Sequence, residues 1–161
     1  IARFMEQVLQ EEGHQVAREG WWRVKSFFID FDAALIGSSV HVQKYNTLIK
    51  DYVLEHLDTL NSMPTAFFSV SMAMASSIKE EHEEIAQVAE DFLKETQWNT
   101  ATVWHIAGAL KYTKYNYFKK LIMRSIAKKE GGSVDTDKDH EYTDWTTVKE
   151  QVLSFSNRLK T

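Results

Sequence analysis

The chain has 161 residues, 43% of them hydrophobic and 26% charged, which suffices for the core of one domain and matches an ordinary globular composition. It holds no cysteine, which excludes disulfides, thiolate nucleophiles and thiolate metal sites within these residues, and its 23 acidic against 19 basic residues argue against a general nucleic-acid binder. No apolar run approaches the roughly 20 residues that span a bilayer, so membrane contact by these residues is expected to be peripheral.

In chain order, Ile1, Phe4, Val8 and Leu9 recur at helical spacing and Gly13 supplies a stop, so residues 1–12 are predicted to be a helix that opens the chain directly, without a signal-peptide pattern. Residues 15–17 could form one more strand, and 19–29 read as irregular. Three short, nearly continuous apolar runs, 31–37, 65–70 and 102–107, have strand length and the composition of strands covered on both faces. Between them, Leu48, Tyr52, Leu57 and Leu60 predict a helix over 45–60. Ile85, Val88, Phe92 and Leu93 predict another over 79–97, with Glu80, Glu81, Glu83 and Glu84 in its first turns, where the helix dipole favours acids. Val148, Val152, Phe155 and Leu159 predict a last helix over 145–159, capped by Thr143 or Asp144. Strands alternating with helices imply an α/β fold with a doubly wound parallel sheet. Such a sheet normally places its first strand ahead of the first helix. The chain is therefore expected to lack that strand and the phosphate-holding turn that follows it.

Residues 111–129 depart from the surrounding charge pattern. They hold seven basic residues, no acidic ones and four aromatics, whereas the other 142 positions carry 12 basic against 23 acidic. On a helix, Phe118, Ile122 and Ile126 share one face, and Lys120, Arg124 and Lys128 rise along the opposite one. Two readings remain open: a surface helix packing its apolar side on its own domain, or contact with an anionic membrane surface or acidic partner.

Ligands of open parallel sheets bind beyond the carboxyl ends of the strands. Here those ends are small and polar: Ser38, Ser39, Val40 and His41 after the first run, Ser69, Val70, Ser71 and Met72 after the second, and Gly108, Ala109 and Leu110 after the third. Such residues let a flat ring approach the backbone, as a flavin or a base requires, and equally they fill a crowded turn. The six histidines show no pair at metal-binding spacing. The acids at 135–139 lack the glycine and the final glutamate of a calcium loop. No Gly-x-Ser-x-Gly, Walker or dinucleotide Gly-x-Gly-x-x-Gly motif occurs, so any difficult chemistry would fall to a cofactor.

Several stretches together resemble one family. Phe31-Asp-Ala-Ala-Leu-Ile-Gly-Ser-Ser39, Leu60-Asn-Ser-Met-Pro-Thr-Ala-Phe-Phe-Ser-Val70, Gln97-Trp98, Ile106-Ala-Gly-Ala-Leu-Lys-Tyr112, Gly131-Gly132, Asp135-Thr136 and Tyr142-Thr-Asp-Trp145 are similar, in order and spacing, to the bacterial menaquinone-dependent protoporphyrinogen oxidases. The resemblance implies a single flavodoxin-like domain over 1–161 with a long basic insertion at about 111–142. It also implies FMN, held by Ser38–His41, by Phe67 and Ser69–Met72, and by Gly108–Leu110. The implied substrate is protoporphyrinogen IX, with electrons passing to menaquinone or ubiquinone at the cytoplasmic face of the bacterial inner membrane, where Phe118, Lys120, Ile122, Arg124, Ile126 and Lys128 would meet the bilayer. It assigns no catalytic side chain, no metal and no nucleic acid. A flavodoxin-like electron carrier and an NAD(P)H:quinone reductase are the alternatives.

Overall fold

The three apolar runs pair as one parallel sheet in a computed structural model that describes residues 1–20, 31–100, 102–110 and 140–160. Its strands are β1 (Ala34–Ser39), β2 (Thr65–Ser71) and β3 (Val103–Ala107), in the order β1-β2-β3. The helices are α1 (Ala2–Glu11), α2 (Thr47–Glu55), α3 (Leu57–Ser62), α4 (Lys79–Thr96) and α5 (Trp145–Leu159). A second, antiparallel pair joins β4 (Ala109–Leu110) to β5 (His140–Glu141).

Helices cover both faces of the parallel sheet, as its continuous apolarity requires. On one side, Met5, Val8 and Leu9 of α1 and Val148, Val152 and Phe155 of α5 bury Ala66, Trp104 and Ile106. On the other, Val53, Leu60, Ala89 and Phe92 bury Ile36 and Phe67. Gly37 is required by this packing, because a Cβ there would stand 1.9 Å from the ring of Phe68.

Two expectations are corrected. Residues 15–17 form no strand: Val16 packs against the α1–α5 core, His14 Nε2 shares a 2.7 Å hydrogen bond with Ser156 Oγ, and Arg18 pairs with Glu6 at 2.7 Å. Side-chain contacts anchor this segment in place of a strand ladder. The helix expected over 45–60 is two helices broken at His56, and it starts later, because Asn46 Oδ1 accepts the Leu48 N–H at 2.9 Å and caps α2. Tyr45 thereby lies outside the helix, where its ring meets Phe67 and Phe92.

The β4–β5 pair, Ala109 opposite Glu141 and Leu110 opposite His140, brings together the two ends of the excursion expected over 111–142. Residues 111–139, including the basic segment from Phe118 to Lys128, lie outside the described residues, as does most of the irregular segment expected over 19–29. Among the described residues, no helix is long and apolar enough to cross a membrane.

Asp144 caps α5, as expected. Its carboxylate accepts the backbone N–H groups of Thr146 and Thr147 at 3.0 and 3.1 Å and the Thr147 hydroxyl at 2.8 Å. These bonds, those from Thr147 foremost, hold the carboxyl below its ordinary pKa. A carboxyl lowered in the folded state adds stability above its unfolded pKa and loses it as pH falls through the folded one. Asp144→Ala should therefore melt earlier than the parent at neutral pH, and the gap should close as pH drops below the carboxylate range; a gap independent of pH would show that the charged cap contributes nothing.

Candidate active site at the carboxyl ends of the strands

Register decides which residues share the sheet's carboxyl edge. Ser38 lies opposite Ser69, Ser39 opposite Val70, and Ser71 opposite Ala107. The ladder continues past the strands, with Val40 N–H donating to Val70 O at 2.8 Å and Gly108 N–H to Ser71 O at 3.2 Å. The three small, polar strand ends named from the sequence thus form one shelf, about 10 Å across three strands at their usual spacing. Gly108 is buried, and a Cβ there would press to 3.3 Å from Val70 Cγ1 and 3.7 Å from Met72 Sδ, so the bare Cα lets these two side chains pack against that end of the shelf.

Not every predicted residue reaches the shelf. Phe67 and Ser69 are fully buried, Phe67 stacked on Phe92 and Ser69 taking the Tyr45 hydroxyl at 2.7 Å, so both belong to the core beneath the site. Strand alternation is the cause, since side chains two apart point to the same face. Ser71 is also buried, and its hydroxyl accepts the Ala73 N–H at 3.1 Å, shaping the 3-10 turn Ala73–Ala75. Ser39, His41 and Ala109 are exposed, and Ser38, Val40, Val70 and Met72 are half-buried; for Leu110 the structure describes the backbone in β4.

Loops on either side of the shelf are internally fastened. Ser76 Oγ accepts the Ile78 N–H at 3.2 Å, and His82 Nε2 donates to Ser76 O at 2.8 Å. After β1, His41 and Lys44 exchange backbone hydrogen bonds of 2.9 and 3.1 Å around Val42 and Gln43, both at positive φ (50° and 56°). That is the geometry of a type I′ turn. Nothing in the local sequence announces this turn, because Val-Gln carries neither the asparagine nor the glycine such turns favour.

Beside the β3 end, a cleft of about 190 Å³ is lined by Met74, His105, Ala107, Tyr142, Asp144 and Gln151, among others. Burial pushes the His105 imidazole pKa down against the raising effect of Glu90, and the half-buried ring lines this cleft. A larger depression of about 330 Å³ runs from Leu54 to Thr59 at the α2–α3 junction. It lies where the chain turns back toward the start of β2, away from the ligand edge. Among the described residues, no group of three or more acids or histidines is placed to hold a metal ion.

The chain is similar to known proteins over most of its length. The flavodoxin domain family matches residues 1–137. The protoporphyrinogen IX dehydrogenase (quinone) of Escherichia coli strain K12 is 32% identical over 160 residues, which cover 99% of this chain and 86% of the relative. The chain belongs to the quinone-linked protoporphyrinogen IX dehydrogenases. A second relative of that name, from Leishmania major, is 32% identical over 127 residues, 79% of this chain and 54% of its own. No solved structure matches significantly. The family is one of oxidoreductases on a flavodoxin-type domain, and the parallel sheet wound on both faces is the scaffold such a domain requires.

The site's floor depends on Tyr45, whose phenol is held above its ordinary pKa by burial, partly offset by the bond to Ser69. Tyr45→Phe leaves the buried Ser69 hydroxyl without this partner. It should cost about 1–3 kcal/mol in urea unfolding, and an unchanged midpoint would show that Ser69 finds another partner.

Proposed function

We propose that this protein is an FMN-dependent protoporphyrinogen IX dehydrogenase that passes electrons to menaquinone or another respiratory quinone. What carries the reading is an alignment covering 99% of the chain with a relative named for that activity, on a sheet whose three carboxyl ends stand in register. The residues fit a flat, hydrogen-bonding ring: Ser38, Ser39 and His41 on one side, Val70 and Met72 in the middle, and Gly108 and Ala109 on the other. Phe67 and Ser69 support it from below. FMN, when bound, would supply the hydride-accepting centre and the route to quinone.

The chain's own contribution is then placement. Polar side chains at the β1 end would orient the ring, Val70 and Met72 would exclude water from its face, and the fastened 71–78 loop would hold the opposite edge. No side chain of the shelf is required as an acid or base. Hydrogens removed from the tetrapyrrole leave as quinol, so electrons and protons balance.

Protoporphyrinogen should reduce the bound flavin rapidly under anaerobic stopped-flow conditions, a quinone should reoxidise it, and NADH should do little. Ser39→Phe, at an exposed position, should weaken FMN binding by about tenfold or more without lowering thermal stability. Rapid reduction by NADH with no response to protoporphyrinogen would favour a reductase instead.

We also propose peripheral attachment at the cytoplasmic face of the bacterial inner membrane through the basic segment. Each Lys or Arg near an anionic surface contributes about 1 kcal/mol, so Lys120, Arg124 and Lys128 give useful attraction beside the apolar Phe118, Ile122 and Ile126. Changing the three cations to Glu should release the protein from anionic liposomes while leaving flavin and fold intact, and the parent's binding should weaken with salt. Salt-insensitive binding that survives the reversal would sink the electrostatic account.

A further inference from the structure

The turn at 41–44 combines four features. Val42 is 94% exposed, an apolar side chain with almost nothing of its own protein against it. It holds φ at +50°, which a β-branched residue rarely adopts and which costs on the order of 1–3 kcal/mol. The turn is nevertheless rigidly mounted: Val40 is bonded to Val70 before it, His41 and Lys44 close it, and Tyr45 is sunk between Phe67 and Phe92 after it. The fourth feature is charge. Residues that exchange both backbone bonds project their side chains to one face, so His41 and Lys44 stand side by side.

Among the described residues, neither of these two basic groups is matched by an acid. His41 Nε2 shares a 2.8 Å hydrogen bond with Ser39 Oγ, which fixes the ring, and the carboxylate that reaches the turn, Glu84, is met by the Gln43 amide at 3.5 Å. Standing side by side, the Lys44 ammonium and the His41 imidazole present hydrogen-bond donors that one anion lying between them could accept. An exposed valine is favoured by burial once something apolar covers it. The turn stands at the carboxyl edge of the sheet, where ligands of parallel sheets sit.

We infer that turn 41–44 is the porphyrinogen-positioning element of the site, with Val42 laid against the tetrapyrrole and His41 and Lys44 together receiving a propionate carboxylate. This rests on the reading of the protein as a protoporphyrinogen dehydrogenase, whose substrate joins an apolar macrocycle to propionate side chains. The turn has that composition in miniature, one apolar tip beside an ammonium and an imidazole. Substrate would approach from the turn side of the shelf.

The test compares binding of protoporphyrin IX and its dimethyl ester, followed by porphyrin fluorescence, with and without flavin. The parent protein should prefer the free acid, and the double variant His41→Gln, Lys44→Gln should lose about tenfold in affinity for the acid and little for the ester. Val42→Asn relieves the backbone, since asparagine tolerates positive φ. It should therefore melt no earlier than the parent while binding acid and ester several-fold more weakly. An acid preference that survives the double variant, or a Val42→Asn protein that loses stability but not porphyrin, overturns the assignment. Turnover of protoporphyrinogen by the unmodified flavin-loaded protein separates the two levels. If turnover is present and the variants bind normally, the turn's role alone fails; if turnover is absent, the reading beneath it fails as well.

Discussion

Because β2 sends Ala66 into one core and Phe67 into the other, it has no solvent face, and both neighbours must pair with it in parallel and in one register. A shift by a single residue would turn Phe67 toward α1 and α5 and expose the packing of Phe68 against Gly37. The shelf of strand ends is a by-product of that burial. Ser39, Ser71 and Gly108 meet because aromatic and aliphatic side chains several residues earlier have only one way to pack.

The two ends of the sheet do different work. At the amino end, Trp98 Nε1 donates to Thr65 Oγ1 at 3.1 Å, Asn61 Nδ2 donates to Gln97 O at 3.2 Å, and Asn61 Oδ1 accepts the Asn99 N–H at 2.8 Å. These bonds tie the α3–β2 corner to the α4–β3 corner. Asn61, Gln97 and Trp98 lie in stretches that carry the family resemblance, yet their contacts are structural. At the carboxyl end the hydrogen bonds close individual loops, leaving Ser39, His41 and Ala109 at the surface.

Charge follows the same division. α4 carries Glu80 and Glu81 in its first turn, where backbone N–H groups stabilise them, and Lys79 answers Glu83 one turn on at 2.7 Å. Lys50 reaches across from α2 to Glu95, joining two helices of one face. Against this acidic background, no ion pair is found for Lys44 at the sheet edge among the described residues, and the sequence concentrates seven further basic residues between Lys111 and Lys129.

The sequence by itself determined the elements and the family. Apolar periodicity marked α1, α4 and α5 to within a residue or two, continuous apolarity marked the three strands, and Asp144 announced its cap. These signals are local, arising from side-chain spacing and backbone capping within a few residues. The start of α2 was missed although Asn46 is a local capping signal, because the apolar pattern runs on through Tyr45, whose ring is instead taken by Phe67 and Phe92, while the break at His56 carries no such local signal. The site was legible as a set of strand ends but not residue by residue. Which of Phe67, Ser69, Val70 and Ser71 face a ligand depends on what packs on each face of β2, and only the tertiary structure decides it. The turn at 41–44 lies further still from sequence, since Val-Gln has no intrinsic preference for positive φ, and only its two neighbours, bonded to β2 and buried in the core, hold the backbone there.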